Sequence, residues 1–245
     1  MRRRALLGIS AGIVLFSVGA FLLLDLSRLV PLSPTELALK QIKPPSSWAD
    51  PDCSSLRRAI KSAVGESSRR TAISVPHLTA DEVAVYTAVL DQWNSDARTL
   101  NVSDRTFPLD VTSPTSHISN CECLRSIEAT SLASASHSFH YLTPAALPGK
   151  NIRLVDANRQ RATIQSNDPH NGMAAGKSVD KAVNDAFANG LFSMSEIAFD
   201  TDHRQALVSY GFVCGSLCGS GGTWLLEKVN GVWKRTDRVC GGWIS

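Results

Sequence analysis

The sharpest alternation of apolar and polar positions lies at the end of the chain, from Phe192 to Ser245. Residues 205–214, 223–229 and 232–239 each place alternate apolar side chains on one face of an extended chain, which is the pattern of half-buried strands. The pair Asn230-Gly231 separates the last two runs. It predicts a hairpin, because a type I′ turn needs positive φ at both central residues.

This turn also fixes which residues face each other across the hairpin. The predicted facing pairs are Val229 with Val232, Glu227 with Lys234 as an opposite-charge pair, and Trp224 with Asp237. A shorter extended run around Ile197 and Phe199 precedes them, and a glycine-rich loop at 214–222 joins the second and third runs. The pattern therefore predicts a four-stranded antiparallel β-meander.

Helical periodicity dominates earlier in the chain. Thr79 and Glu82 have the spacing of a capping box, in which each residue satisfies an N–H group at the helix start. Apolar residues then repeat at helical spacing as far as Trp93. Residues 121–135 are compatible with a second helix. Both helices are expected to pack against the meander.

The region before the meander completes the predicted fold class. Residues 151–156 and 161–166 are interpreted as a pair of strands. Ser178 is placed to cap a helix over 179–188, and Gly190 follows as its C-terminal stop. We therefore predict an α+β domain whose helices pack on the C-terminal meander. In outline this resembles the cone-shaped NTF2-like sheet.

The N-terminal segment predicts a membrane anchor. Three arginines precede residues 5–24, whose side chains are apolar apart from two serines. Twenty residues at about 1.5 Å each span roughly the 30 Å hydrocarbon core of a bilayer. The arginines favour the cytoplasmic side, so the rest of the chain is expected outside. The alternative is a signal peptide cleaved after Ala20, although its apolar stretch is longer than the roughly 7–15 residues usual there.

Five prolines between Pro31 and Pro51 favour an extended spacer over a helix. The chain is therefore divided into three parts. Residues 1–30 form a cytoplasmic n-region and a single-pass signal anchor, residues 31–52 a proline-rich stalk, and residues 53–245 an extracytoplasmic α+β domain. The predicted location is the cytoplasmic membrane, with the domain periplasmic or extracellular.

The distribution of charge along the chain limits the classes of binding partner that are expected. Residues 1–30 hold the whole net charge of +3, since four arginines there oppose one aspartate. The remaining residues are neutral overall, which gives no electrostatic reason to expect nucleic acid. The expected partners are the membrane, through residues 5–24, and a protein of the envelope. The oligomeric state stays open.

The six cysteines are interpreted as disulfide partners, because all of them lie beyond the anchor, on the oxidising side. They are Cys53, Cys121, Cys123, Cys214, Cys218 and Cys240. A tight loop can bring Cys214 and Cys218 within bonding distance. Cys121 and Cys123 are too close along the chain to pair comfortably, so each is expected to bond to Cys53 or Cys240. The spacing of these residues does not indicate a metal site.

Candidate catalytic and binding groups are scattered. The glycine-rich loop lacks the helix N-terminus that phosphate-binding loops need, and no cofactor motif is present. His137 and His140 are spaced three residues apart. The loop 167–178 carries the weak binding candidates Asp168 and His170, because binding groups concentrate on loops held by a scaffold. A polar connector before a capped helix is the simpler explanation of the same residues, and the one that the sequence favours.

Three segments carry a resemblance: DEVAVYTAVLDQW at 81–93, ALVSYGFVCGSLCGSGGTWLLEKVNGVWK at 206–234, and the terminal Trp-Ile-Ser. Over roughly Thr79 to Ser245 the chain resembles a family of exported bacterial envelope proteins. The C-G-x-L-C-G loop and the G-x-W-K strand are its most specific part. No activity is assigned to that family, so the resemblance implies a small exported bacterial domain and no catalytic residues.

Two functions from different classes follow. The favoured one is a membrane-anchored extracytoplasmic module that binds a ligand or another envelope protein, since no catalytic motif is present. The alternative is an envelope hydrolase that uses His, Asp or Glu residues from the region 137–203. A pocket lined by convergent His and carboxylate side chains would favour the enzyme.

Overall fold

A mixed β-sheet forms the centre of the described part of the chain. The computed structural model describes residues 55–62, 73–75, 77–93, 99–111, 118, 120–147 and 151–245, which all belong to one compact unit, Ala49–Ser245. The predicted anchor, stalk and Cys53 lie outside these ranges. Among the described helices, none has the length and apolar character needed to cross a bilayer.

The strands, in chain order, are β1 (Ile73–Val75), β2 (Leu100–Ser103), β3 (Ser138–His140), β4 (Ile152–Val155), β5 (Leu191–Met194), β6 (Ala198–Phe199), β7 (Gln205–Gly215), β8 (Cys218–Val229) and β9 (Val232–Ile244). The main sheet has the spatial order β4-β2-β5-β7-β8-β9, and β6 also pairs with β7. β1 and β3 form a separate parallel pair.

The helices are α1 (residues 55–62), α2 (Ala80–Trp93), α3 (Cys121–Arg125), α4 (Ala129–Ala135), α5 (Ala157–Ser166), α6 (Pro169–Ala174) and α7 (Val179–Ala188). The predicted capping box of α2 is present: Glu82 Oε2 accepts from the Thr79 amide at 2.6 Å, and Thr79 Oγ1 accepts from the Glu82 amide at 3.2 Å. Ser178 caps α7 by accepting from the Lys181 amide. The single helix expected over 121–135 is instead two, α3 and α4.

The C-terminal meander is confirmed as one part of a larger sheet. β6, β7, β8 and β9 pair antiparallel in sequence order. Asn230 and Gly231 have φ values of 52° and 79°, as a type I′ turn requires. The pairs Val229–Val232 and Glu227–Lys234 are present, whereas Trp224 pairs with Val239. The predicted pairing with Asp237 is wrong because irregularities on both sides of Trp224 shift the register.

The expectation of a purely antiparallel four-stranded sheet is wrong. β2 pairs parallel with both β4 and β5, and β5 then pairs antiparallel with β7. These three short strands extend the meander into a mixed sheet. β4 matches the strand expected over 151–156, but the strand expected over 161–166 lies in helix α5. The likeness to the NTF2-like sheet stays a prediction.

Helix α5 forms because Asp156 caps it, accepting from the Arg159 amide at 2.7 Å. Its buried residues Ala157, Gln160 and Ile164 recur at helical spacing. Tertiary packing of that face on Leu191 outweighs the alternating pattern that suggested a strand.

Helices cover both faces of the main sheet. On one face, which we call the α2 face, Val85, Tyr86 and Val89 of α2 pack against residues such as Phe192 and Trp224. On the opposite face, the α5 face, a cluster from α1, α3 and α4 covers one end, and α5 covers the other end. Between these two groups of helices, a strip of the α5 face is not covered by a helix and is lined by cavities.

Two disulfides are present between described cysteines. Cys123 bonds to Cys240 with a Cα–Cα distance of 5.7 Å, and Cys214 bonds to Cys218 at 5.1 Å. Cys121 is also disulfide-bonded. The Cys214–Cys218 bond closes the turn between β7 and β8, as the sequence predicted.

The glycine-rich stretch is shorter as a loop than expected. Only Ser216 and Leu217 lie between the strands, and Gly219, Gly221 and Gly222 are in β8. Gly221 is required by a close approach, because a Cβ there would lie 2.4 Å from Nε1 of Trp243. The glycines therefore serve packing within the sheet as well as the turn.

Candidate functional site

A groove crosses the shallow strip of the α5 face. It consists of two adjoining cavities of about 450 and 380 Å³, which share Arg161 and Ser193 as lining residues. Arg161 belongs to α5, and Ser193 lies on the neighbouring strand β5. We call the two cavities together the Arg161 groove.

Small side chains on adjacent strands make the floor of this groove low. Ser193 on β5 pairs with Gly211 on β7. Val102 pairs with Phe192, so by strand alternation Ser103 and Ser193 share the α5 face. Larger side chains at these three positions would fill the groove.

The first cavity has apolar walls and a cation at its mouth. Phe107, Pro108 and Phe139 line it together with Arg105. Arg105 is exposed, which leaves its charge largely hydrated. An occupant of this cavity would meet aromatic surface on one side and a guanidinium on the other.

The second cavity lies on the far side of Arg161. Its apolar lining comes from Ile164 of α5, Leu191 of β5 and Val213 of β7, and Val213 is 40% exposed. Asp168 and Ser216 lie at its end. The groove thus has apolar surface on both sides of a central guanidinium.

The two arginines of the groove carry uncompensated charge. Neither Arg105 nor Arg161 forms an ion pair with a carboxylate of the described residues, and Arg161 Nη1 donates to Asn158 Oδ1 at 3.1 Å. By contrast, Lys177 and Lys228 pair with aspartates at 2.8 and 2.6 Å. Most of the five N–H donors of each groove guanidinium therefore remain available to an anion.

The hydroxyl groups of the groove differ in availability. Ser103 Oγ donates to the Arg105 carbonyl at 2.6 Å, and Thr106 Oγ1 accepts from the His140 amide at 2.8 Å. Ser193 is half-buried, and its hydroxyl has no hydrogen-bond partner among the described residues. Ser193 is therefore the hydroxyl that an occupant can reach beside Arg161.

Trp243 flanks the groove opposite α5. Its indole lies over Gly221 of β8 and extends to β7, where a Cβ on Gly211 would lie 3.5 Å from Cζ2. Because Gly211 is paired with Ser193, the indole edge reaches the strand next to the floor of the groove. The C-terminal residues of the chain thus help to shape this side of the site.

A buried polar cluster lies behind Thr106. His140 Nδ1 is 2.9 Å from Glu196 Oε2, and both side chains are about 5% exposed or less. Thr106 Oγ1 donates to Glu196 Oε1. His140 Nε2 is buried without a partner among the described residues. Neither His140 nor Glu196 lines the groove. Through Glu196, the cluster instead connects the segments 104–107 and 195–197 to β3.

Tyr86 of α2 is buried next to the segment that carries Glu196. Tyr86 is 1% exposed, and its hydroxyl donates to the Ser195 carbonyl at 3.0 Å. Burial, with the nearby charge of Glu196 as a smaller cause, raises the pKa of Tyr86 well above its usual range. Tyr86 therefore stays a neutral hydrogen-bond donor.

The predicted binding candidates have different positions. Asp168 lines the second cavity, but its carboxylate is already engaged: Oδ1 accepts from the His170 amide at 2.9 Å and Oδ2 from the Ser216 amide at 2.6 Å. These bonds, the one from Ser216 first, lower the pKa of Asp168. His170 is exposed on α6. Their role in binding stays a prediction.

Within the region 137–203, the structure brings His140 to Glu196 and leaves the other groups apart. His203 lies 3.3 Å from Asp81 and stacks on Phe199 with 4.6 Å between ring centroids. Among the described residues, no group of three or more His, Cys, Asp or Glu side chains is placed to hold a metal ion.

Sequence reasoning missed Arg105, Arg161 and Ser193. They lie in three distant segments, and α5 was interpreted as a strand. A serine between Phe192 and Met194 on an otherwise apolar strand was the only local signal.

No protein-family model, no curated protein and no solved structure matches the chain, so the resemblance to exported envelope proteins stays a prediction.

Proposed function

We propose that residues 53–245 form a binding module of the bacterial envelope, tethered by the N-terminal segment, which holds an organic anion in the Arg161 groove. The observation that carries this proposal is a pair of arginines that have no carboxylate partner among the described residues and that lie beside apolar cavity walls. A ligand with an anionic group and an apolar body suits both features.

The arginines supply the selectivity for an anion. A guanidinium donates hydrogen bonds in a planar fork that matches a carboxylate, sulfonate or phosphate. Arg161 lies between the two cavities, so an anionic group bound to it can extend an apolar body toward Phe107 or toward Val213. Ser193 adds one neutral donor at the same point.

The alternative, an envelope hydrolase, has one supporting observation, the His140–Glu196 contact. Hydrolysis needs a base within hydrogen-bond reach of substrate or water. Both side chains of this pair are buried, and neither lines the groove. We therefore favour binding over hydrolysis.

A pair of fluorescent probes tests the proposal. 8-Anilinonaphthalene-1-sulfonate combines an aromatic body with an anion, and N-phenyl-1-naphthylamine is its uncharged counterpart. We expect the folded full-length chain to bind the sulfonate at least tenfold more tightly. Arg161→Gln and Arg105→Gln should each weaken binding of the sulfonate by about tenfold, since a charged hydrogen bond contributes about 1.5–3 kcal/mol.

The matched control is Arg159→Gln, which removes an exposed arginine of the same helix that does not line the groove. It should leave binding of both probes unchanged. Equal affinity for the two probes, or equal losses in all three variants, would exclude an anion site in this groove.

A further inference from the structure

β9 is an edge strand, and part of its free side is uncovered. Among the described strands, β9 pairs with β8 alone. Its C-terminal half is covered by the cap of α3, where the Asn120 amide donates to the Cys240 carbonyl at 3.2 Å and Asn120 Nδ2 donates to the Val239 carbonyl at 3.1 Å. We call residues 232–236 the β9 edge segment, and no described residue outside β8 forms a backbone hydrogen bond with them.

The hairpin register determines which backbone groups of this segment point outward. In a two-residue hairpin the closing pair, Val229–Val232, is hydrogen-bonded, and bonded and non-bonded pairs then alternate. Lys228 and Trp233 therefore form a non-bonded pair, and the Lys228 amide indeed donates away from β9, to the Arg204 carbonyl at 2.8 Å. The N–H and C=O groups of Trp233 and Arg235 thus point away from the sheet.

A cavity of about 640 Å³ lies along the same segment. One wall is formed by α2, with the small side chains of Ala84, Thr87 and Ala88 and also Asp91 and Gln92, and residues 231–235 form the other. Since an added strand lies about 4.8 Å from its neighbour, an extended peptide needs open space beside the edge, and this cavity provides it.

The charge of the segment indicates which partner it suits. Lys234 and Arg235 are exposed, and neither lies within ion-pair distance of a carboxylate of the described residues, although Glu227 is the cross-strand neighbour of Lys234. Arg235 lies 4.7 Å from the ring of Trp224. Pairing this edge with the same edge of a second copy would bring like charges together, which is unfavourable. Asp91 is the one carboxylate among the residues that line the cavity, and the two cations outnumber it, so an acidic strand would instead be attracted.

We propose that the β9 edge segment binds an extended, acidic peptide segment of a partner protein by adding it as a further strand. Trp233 and Arg235 make the main-chain hydrogen bonds, Lys234 and Arg235 attract its acidic side chains, and Ala84 and Ala88 leave room for an apolar one. This site is separate from the Arg161 groove.

Three fluorescein-labelled peptides test the proposal with the full-length chain. One alternates Glu and Val over six residues, the second replaces Glu by Lys, and the third is the acidic peptide with alternate amides N-methylated. Fluorescence anisotropy should show binding of the first, at least tenfold weaker binding of the second, and no binding of the third, because N-methylation removes the main-chain donors.

Variants locate the site. The double variant Lys234→Glu/Arg235→Glu should reverse the preference between the acidic and basic peptides. Arg238→Glu, in the part of β9 beside α3, is the control and should keep the preference for the acidic peptide. Arg161→Gln should leave peptide binding unchanged, so failure of this proposal and failure of the groove proposal give different results.

Hydrogen exchange provides a second readout that does not depend on a variant. Binding of the acidic peptide should slow exchange of the Trp233 and Arg235 amides at least tenfold. Equal binding of the acidic and basic peptides, retention of binding after N-methylation, or concentration-dependent pairing of the chain with itself through β9 would each overturn the proposal.

Discussion

Asp168 connects two elements that are distant in the sequence. Its carboxylate caps α6 at the His170 amide and also accepts from the Ser216 amide in the turn closed by Cys214 and Cys218. The hydrogen bond from Ser216 is the largest cause that lowers the pKa of Asp168. Since the charged form is stabilised by folding, the ionised carboxylate contributes to stability.

Asp168→Asn keeps a side-chain acceptor but removes its charge. It should lower the free energy of unfolding at pH 7 by about 1 kcal/mol, roughly the difference between a hydrogen bond to a charged group and one to a neutral group. A lowered pKa gives stability that is present above the unfolded-state value, about 3.9. This stability is lost as the pH falls through the folded-state value. The difference between wild type and variant should therefore be smaller at pH 3 than at pH 7, which urea unfolding at the two pH values measures.

The control for this prediction is Asp202→Asn, at an exposed position in the turn before β7. It should change stability by a few tenths of a kcal/mol at either pH. A pH-independent loss in Asp168→Asn would mean that packing, and not the carboxylate charge, is responsible.

Asp168 and Arg161 show why the roles of single positions were hard to predict. Asp168 was selected from the sequence as a polar loop residue, but its carboxylate caps α6 and connects that helix to the turn between β7 and β8. Arg161 was missed because an exposed arginine on a helix has the same local sequence whether or not its side chain crosses a groove. The neighbours of Arg161 in the groove come from β2 and the segment after it, from β3 and from β5. No spacing rule connects those segments.

At the scale of elements, the two disulfides constrain very different lengths of chain. Cys123 and Cys240 are 117 residues apart and join α3 to β9, whereas Cys214 and Cys218 are four residues apart and close one turn. A cross-link stabilises mainly by reducing the entropy of the unfolded chain, so a longer loop gives a larger effect.

We expect Cys123→Ser/Cys240→Ser to lower the free energy of unfolding by about 4–5 kcal/mol and Cys214→Ser/Cys218→Ser by roughly 2 kcal/mol. Denaturant unfolding of each oxidised double variant measures the difference. Equal losses, or a larger loss at the turn, would contradict the loop-entropy explanation.

The elements that were predicted correctly are those that local chemistry specifies. The Asn230-Gly231 turn and the Thr79–Glu82 capping box depend only on residues within four positions of each other. Residues 161–166 of α5 were predicted as a strand because of their alternating pattern, and the short buried stripe of the helix becomes visible only against Leu191.

At the scale of the whole molecule, the α2 face of the sheet is closed and the α5 face is divided between two covers. The Arg161 groove lies in the space between α5 and the cluster of α1, α3 and α4, because these helices do not contact each other over the sheet. Had the sheet been the four-stranded meander alone, Ser103 and Ser193 would not lie in it and this floor would not form.

The anchor remains a prediction of the sequence with a direct test. The full-length chain should stay in the membrane fraction after carbonate extraction, and a chain that lacks residues 1–30 should be released. If the anchor is not cleaved, N-terminal sequencing should show that the mature protein begins at or near Met1. A start at Phe21 would establish the cleaved signal peptide instead.

The sequence by itself determined the α+β class, the meander, its turn and the use of disulfides, because these depend on alternation, turn chemistry and local spacing. Tertiary structure decided the parallel strands β2 and β4, the helical state of 157–166 and the groove. Each of these depends on contacts between segments far apart in the chain, and their energies are not encoded in any one segment.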